Sequence, residues 1–300
     1  MPSTQSKSAS LLTRRILDAR LSWANFRPEQ FVYVPCTLCG SFDYETKASL
    51  VINWVEFFIV QCNNCKLTWR NPMPDTGFLR HLYAENYFDV RNYPNPLVDQ
   101  VGIADTEEAD QLIRREKSQQ EIRKWIGKGI LPNNNDNRSR KLLEIGGGCG
   151  YLQRAAEEEG WNTLGLEISP HGIKDAIDRG LTIIPIVLDE LCDKYVPYSK
   201  FFDLIVFFDF LEHVTDPGRV LRMVHSILKD DGTVILRVPC IQEDDCPMYH
   251  LIDHIWHFSE RTLETILNRE NFIVFDRQQS GRFPGEEGQV QNMTFFAKKS

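Results

Sequence analysis

Lys141-Leu142-Leu143-Glu144-Ile145-Gly146-Gly147-Gly148-Cys149-Gly150 is an apolar run of strand length that breaks into glycines, and Tyr151 to Gly160 follows it with the character of a helix. A strand that stops at a glycine turn and opens a helix lets a ligand come close to the backbone. In an open α/β sheet such a turn lies at the carboxyl edge, where ligands bind. The spacing is acid-x-Gly-x-Gly-x-Gly, carried by Glu144, Gly146, Gly148 and Gly150. A dinucleotide fingerprint would read G-x-G-x-x-G, and the Gly-Lys-Ser/Thr ending of a phosphate-binding loop is absent.

The chain downstream keeps alternating strand and helix, the pattern of a parallel sheet. Asn162 to Ser169 reads as a second strand with Glu167 near its end, 21 residues beyond Gly146. A carboxylate at that distance is placed to accept hydrogen bonds from ribose hydroxyls. Ser169 and Pro170 then start a helix as N-cap and first residue. Leu181 to Leu188 reads as a third strand, followed by Asp189. Phe202 to Phe208 is an apolar run typical of a buried parallel strand, and it exits through Asp209-Phe210-Leu211-Glu212-His213. A helix over Pro217 to Leu228, a turn at Lys229 to Gly232 and a strand over Thr233 to Pro239 come next. Ser259 caps a helix over Glu260 to Glu270, and Phe272 to Asp276 and Met293 to Ala297 form a final antiparallel pair.

These segments together resemble motif I, motif IV and the motif IV exit of class I S-adenosylmethionine-dependent methyltransferases of the bacterial small-molecule type. The resemblance implies an α/β fold, a Rossmann-like seven-stranded methyltransferase sheet with a small N-terminal β zinc-ribbon module. It implies a cofactor site made by Glu144, Gly146, Gly148, Gly150, Glu167, Ile168, Leu188, Asp189, Phe208 and Asp209. Leu188 would pack on the adenine, Asp189 would accept from its amine, and Asp209 would lie near the reacting methyl. Tyr83 and Tyr87, after the helix over Asp75 to Tyr83, match a segment that lies across the cofactor in such enzymes. Asp253-His254-Ile255-Trp256-His257-Phe258-Ser259 resembles a run beside the acceptor pocket. A weakly acidic acceptor needs a general base, for which the candidates are His257, His254 and His213, in that order. The implied reaction is methyl transfer to a small-molecule acceptor: a sugar, a polysaccharide precursor, or a natural-product hydroxyl or carbon. A non-catalytic methyltransferase-like binding protein is the competing reading, with methylation of RNA or protein behind it.

Ahead of this region stand Cys36-Thr37-Leu38-Cys39-Gly40 and Cys62-Asn63-Asn64-Cys65-Lys66, with 22 residues between the pairs. Leu50 to Val60 between them is β-branched and aromatic and reads as one or two strands. Two such knuckles on hairpins place four thiolates tetrahedrally, as zinc prefers, and a four-cysteine site is closed and structural. Cys36, Cys39, Cys62 and Cys65 are the expected ligands, and the Asn71-Pro72-Met73-Pro74 linker that follows belongs to the same family layout. The expected divisions are a terminal helix or tail over 1–30, the zinc-ribbon module over 31–75, a helical linker or lid over 76–137 and the catalytic domain over 138–300. A net charge of −8 argues against general affinity for nucleic acid or anionic membranes. No apolar run reaches the ~20 residues of a membrane span, and the Ser-rich start with Arg14, Arg15 and Arg20 lacks a signal-peptide core. The expected compartment is the cytoplasm.

Overall fold

The structure is a computed structural model that describes residues 28–52, 55–85, 107–131, 139–185, 199–241, 254–282 and 290–300. The expected helix near residues 11–25, Tyr87, Leu188, Asp189 and most of the polar insertion after Cys240 lie outside the described residues.

In chain order, β1 (Phe31–Val32), β2 (Tyr44–Ile52), β3 (Val55–Cys62), β4 (Thr68–Asn71) and β5 (Met73–Pro74) precede α1 (Thr76–Glu85), the first α-helix among the described residues. Asp75 caps α1 by accepting the Phe78 N–H at 2.7 Å, the N-cap role expected of it. The long charged helix α2 (Glu107–Gly127) leads to β6 (Lys141–Ile145). Then come α3 (Tyr151–Glu158), β7 (Asn162–Glu167), α4 (Pro170–Asp178), β8 (Ile183–Pro185), β9 (Phe202–Phe208), α5 (Pro217–Ile227) and β10 (Leu228–Ile241). The chain ends with β11 (Trp256–His257), α6 (Glu260–Arg269), β12 (Phe272–Arg282) and β13 (Val290–Lys299).

The main sheet has seven strands in the order β12-β13-β10-β9-β6-β7-β8. The five strands from β10 to β8 run parallel, while β13 is antiparallel to both β10 and β12. Side chains alternate across it as the strand period demands. Leu142, Leu204 and Val206 pack with Ile122 and Trp125 of α2 and Ala155 of α3. Leu143, Ile205 and Phe207 face the other way, into a core shared with Leu221 and Val224 of α5 and Leu263 and Ile266 of α6.

That second core does not stop at the sheet. Phe57, Val60 and Trp69 of the N-terminal strands belong to it, as do Leu67 just before β4, Phe78 and Leu82 of α1, and Trp256. The smaller sheet has the order β11-β4-β3-β2, so its edge strand comes from the far end of the chain. Trp256 pairs with Trp69 and His257 with Thr68. The stretch expected as a turn at Lys229 to Gly232 stays within β10, and the pairing with β9 shifts register between Leu228 and Thr233. Lys229 Nζ reaches Asp203 Oδ1 at 2.6 Å, which holds the irregular segment against β9. No helix of the described residues is long and apolar enough to cross a membrane.

Candidate functional site

The strand order reverses at β6, whose parallel neighbours are β7 on one side and β9 on the other. In open α/β sheets such a point, at the carboxyl edge of the strands, is where ligands bind. The glycine turn sits there. Gly146, Gly148 and Gly150 have φ of 68°, 55° and 72°, conformations that other residues adopt only with strain. Gly146 N–H donates to Leu166 O at 2.8 Å, tying the turn to β7.

Two carboxylates support this turn. Glu144 is buried and accepts the Gln153 N–H at 2.9 Å, so it holds the start of α3 against the loop. Burial pushes its carboxyl up to about 8, the Gln153 N–H opposes that, and the charge of Glu167 adds to it. Glu167 stands at the end of β7. Its Oε2 accepts Gly148 N–H at 2.7 Å, and its Oε1 accepts the N–H groups of Ile168 and Ser169, each at 2.8 Å. A carboxylate offers about four lone-pair positions, so Oε2 keeps capacity for a further donor. The start of α4 is packed directly on the loop: a Cβ on Gly172 would lie 2.9 Å from Gly148 O. Ser169 caps α4 as expected.

The exit from β9 covers the loop from the other side. A Cβ on Gly146 would meet the Phe210 ring at 2.8 Å. Asp209 has φ of 49°, and its carboxylate accepts from Arg237 Nη2 at 3.0 Å. The Arg237 guanidinium lies 4.2 Å from the centre of the Phe208 ring and 3.7 Å from Glu121 of α2. Asp209, expected near the reacting methyl, is thus held in an ion pair. Arg237 was not singled out in the sequence, although a lone cation in the apolar run of β10 is a visible signal.

One turn beyond Phe210, Glu212, His213 and His254 come together. Their ligand-type atoms all lie within 4.8 Å of one another, and all three residues are buried. The rings of His213 and His254 meet edge to face at 4.7 Å, and the Tyr83 ring stands 5.8 Å from His213. The backbone locks this arrangement: Ile255 N–H donates to Glu212 O at 2.8 Å, and Trp256 Nε1 donates to Val214 O at 2.6 Å. Arg70 N–H in turn donates to Ile255 O at 2.8 Å, joining the cluster to the smaller sheet. His257, the first-ranked base in the sequence, sits apart from this cluster, buried in β11 opposite Thr68.

The four N-terminal cysteines converge. Cys36 Sγ is 3.3 Å from Cys65 Sγ and Cys39 Sγ is 3.4 Å from Cys62 Sγ, with all four sulfurs within 4.8 Å of one another. The two knuckles repeat one backbone pattern. Gly40 N–H donates to Cys36 O and Lys66 N–H to Cys62 O, and both residues carry positive φ. The N–H groups of Cys39 and Leu38 point at the Cys36 sulfur, and those of Cys65 and Asn64 at Cys62. Burial pushes the Cys65 thiol up to about 11 and drives Cys36 upward as well. Sulfurs this close need a cation to become thiolates together. Arg269 of α6 donates through Nη1 to Thr37 O and Leu38 O, at 2.8 and 3.0 Å, and so clasps the first knuckle.

Comparison with known proteins adds three findings. A model of a methyltransferase domain matches residues 114–275, more than half of the 300-residue chain. Over 102 residues the chain is 29% identical to a ubiquinone biosynthesis O-methyltransferase of Actinobacillus pleuropneumoniae serotype 7, covering 32% of this chain and 44% of that protein. Over 98 residues it is 31% identical to the mitochondrial arginine-hydroxylase NDUFAF5 of Mus musculus, covering 31% of this chain and 27% of that protein. The chain therefore spans less than half the length of these curated relatives. Among solved structures, a Burkholderia thailandensis 1,6-didemethyltoxoflavin-N1-methyltransferase, bound to 1,6-didemethyltoxoflavin and S-adenosylhomocysteine, aligns over 86% of this chain and 99% of that one. Its TM-score is 0.52 at 16% sequence identity, a likeness of fold.

Proposed function

The chain belongs to the methyltransferase-domain family, and from that premise we propose that it transfers the methyl group of S-adenosylmethionine to a small-molecule acceptor. The observation that carries the proposal is the glycine turn at the β6 switch point, flanked by Glu144 and Glu167. The residues present suit that nucleoside. Glu167 keeps acceptor capacity on Oε2 for a ribose hydroxyl, giving a charge-assisted bond. Gly146, Gly148 and Gly150 permit the tight turn through their positive φ, Ile168 and Phe208 offer apolar neighbours, and Tyr87, Leu188 and Asp189 would complete the pocket. Bound S-adenosylmethionine supplies a methyl group on a positively charged sulfur, ready for in-line displacement.

The chain's own task is then to align the acceptor, exclude water and take a proton away. Phe210 closes the loop on one side. His213 and His254, with Tyr83 at their edge, form the acceptor wall, and His257 supports it from β11. Histidine suits proton handling near neutral pH, and an acceptor hydroxyl or activated carbon needs that help. The sugar, polysaccharide-precursor and natural-product acceptors implied by the resemblance all fit such a polar, aromatic wall.

Cys36, Cys39, Cys62 and Cys65 we read as a structural zinc site. Four thiolates at this spacing match the metal's tetrahedral preference and leave no position open for chemistry. Calorimetric titration with S-adenosylmethionine tests the cofactor reading. Wild-type protein should bind, and Glu167→Ala should bind at least about tenfold more weakly, a loss of about 1.4 kcal/mol. Equal binding by the two proteins, or no binding by either, would sink the assignment.

A further inference from the structure

We propose that Glu212, His213 and His254 form a second metal site, one that takes a divalent first-row transition ion and presents it to an acceptor hydroxyl. This rests on the methyltransferase reading and names how its acceptor wall works. Two imidazoles and one carboxylate are the donor set that such ions favour when they keep positions open for a substrate. The three donor atoms already lie within 4.8 Å of one another, with His213 Nε2 3.8 Å from Glu212 Oε1. Metal–ligand bonds of about 2.1 Å bring neighbouring donors to about 3 Å, so side-chain rotation of about 1 Å closes the set.

Burial strengthens the case. Glu212 is 1% exposed, and His213 and His254 are each 8% exposed. In so dry a place, attraction between a carboxylate and a full cation is much stronger than in water. The ligands also come from two separate segments that the backbone has already joined, through Ile255 N–H to Glu212 O and Trp256 Nε1 to Val214 O. Preorganised ligands bind metal at little cost in chain entropy. The position is informative too: His213 N–H donates to Phe210 O at 3.0 Å, and Phe210 rests on Gly146 of the cofactor loop. A cation here would stand between the cofactor loop and the acceptor.

The other mixed cluster outside the cysteine knuckles suits a metal less well. Cys149, His171 and Asp175 also converge, but they are only half-buried, and Arg179 Nη1 already stands 3.9 Å from Asp175 Oδ2. A fixed guanidinium beside the ligands repels an incoming cation.

The chemistry follows from ordinary Lewis acidity. With His213 and His254 occupied as ligands, the cation replaces them as the means of activating the acceptor: a hydroxyl bound to it loses its proton to solvent more readily than a free one. Its oxygen lone pair then forms the bond to the methyl carbon as the methyl–sulfur bond returns its electron pair to sulfur. The site therefore selects an oxygen acceptor over carbon.

Metal analysis of the purified full-length protein tests this, with cobalt(II) replacing the native ions as a spectroscopic probe. Wild type should hold one equivalent more than the cysteines account for. His254→Ala and Glu212→Gln should each lose that equivalent, with cobalt affinity reduced by about 100-fold or more, since even outer-sphere partners of a metal cost 10–100-fold. Both variants should keep the sulfur-to-cobalt charge-transfer bands of the cysteine site, which shows that they fold. A wild type holding only the cysteine-bound equivalent, or variants that retain the second, would overturn the proposal while S-adenosylmethionine binding left the underlying reading intact. A protein that fails to bind S-adenosylmethionine at all would remove that reading and the acceptor role with it.

Discussion

Replacing Glu144 with Gln should make the protein more resistant to unfolding at alkaline pH and leave it nearly unchanged in acid. The carboxyl lies beneath the glycine turn, and burial pushes it up to about 8, against 4.5 for an ordinary glutamate. Its folded pKa is raised, so the stability it contributes is fully present below about 4.5 and is lost as pH climbs towards 8. Between those limits the unfolded chain releases a proton that the folded chain retains, which favours unfolding. Each unit of difference is worth about 1.4 kcal/mol, so the window from 4.5 to about 8 amounts to roughly 5 kcal/mol as an upper bound. Gln keeps the shape and still offers a carbonyl to the Gln153 N–H, so the variant loses the titration without losing the bond. The assay is urea denaturation of both proteins at half-unit steps from pH 5 to 9. All other groups cancel in the difference between the two midpoints. That difference should widen steadily with pH and flatten above about 8. The same carboxyl should make wild-type affinity for the cationic cofactor rise with pH over this range, an effect the variant lacks. A midpoint difference that does not change with pH would refute the reasoning, because it would mean that Glu144 is already ionised in the folded chain.

Gly172→Ala should weaken S-adenosylmethionine binding, because the new Cβ would stand 2.9 Å from Gly148 O and 3.2 Å from Glu167 Cγ. Overpacking of this kind costs about 1–3 kcal/mol, which calorimetry would read as a loss of about tenfold or more in affinity. Arg269→Ala removes both hydrogen bonds that clasp the first knuckle, to Thr37 O and Leu38 O. It should speed loss of the proposed zinc to a competing chelator, followed with a colorimetric indicator, and leave cofactor affinity unchanged. Trp256→Phe deletes the 2.6 Å bond to Val214 O and strands a carbonyl beneath the proposed acceptor wall. Chemical denaturation should show a loss of about 1–3 kcal/mol.

Local signals carried much of this fold. The glycine turn, the acid at the end of β7 and the apolar run of β9 are each decided within a few residues, by backbone freedom and by side-chain alternation. The caps are local too: Asp75, Ser169 and Ser259 each accept the N–H that their position calls for. What stayed hidden depends on contacts made across the chain. Nothing near Trp256 announces that it pairs with Trp69, because pairing between distant segments leaves no periodic trace in either. The same pairing takes His257 into the smaller sheet and leaves His254 to meet His213. Asp209 was legible as a strand-end acid, but its partner Arg237 comes from the neighbouring strand. Glu167 was legible as a carboxylate in the right place, whereas its three backbone bonds required the turn and the α4 start to be folded against it.

Ile255 shows why the cysteine module and the proposed acceptor wall are one structure. Its carbonyl accepts from Arg70 in β4, and its N–H donates to Glu212 on the exit from β9. A single residue therefore carries backbone hydrogen bonds from the smaller sheet to the segment bearing His213, while its neighbour His254 meets that histidine ring to ring. On the other side of β4 lies β3, which ends at Cys62. The hydrophobic core follows the same route, from Cys36 and Cys62 through Trp69 to Trp256 and Leu211. The cofactor half of the crevice, by contrast, stands on β6, β7 and the glycine turn, whose ties run to α3 and α4. Disorder in the knuckles would thus reach the acceptor wall through β4 and Ile255 before it reached the glycine turn. Stripping metal from the cysteines should accordingly impair acceptor use more than cofactor binding, a division that a module serving only as a separate structural appendage would not produce.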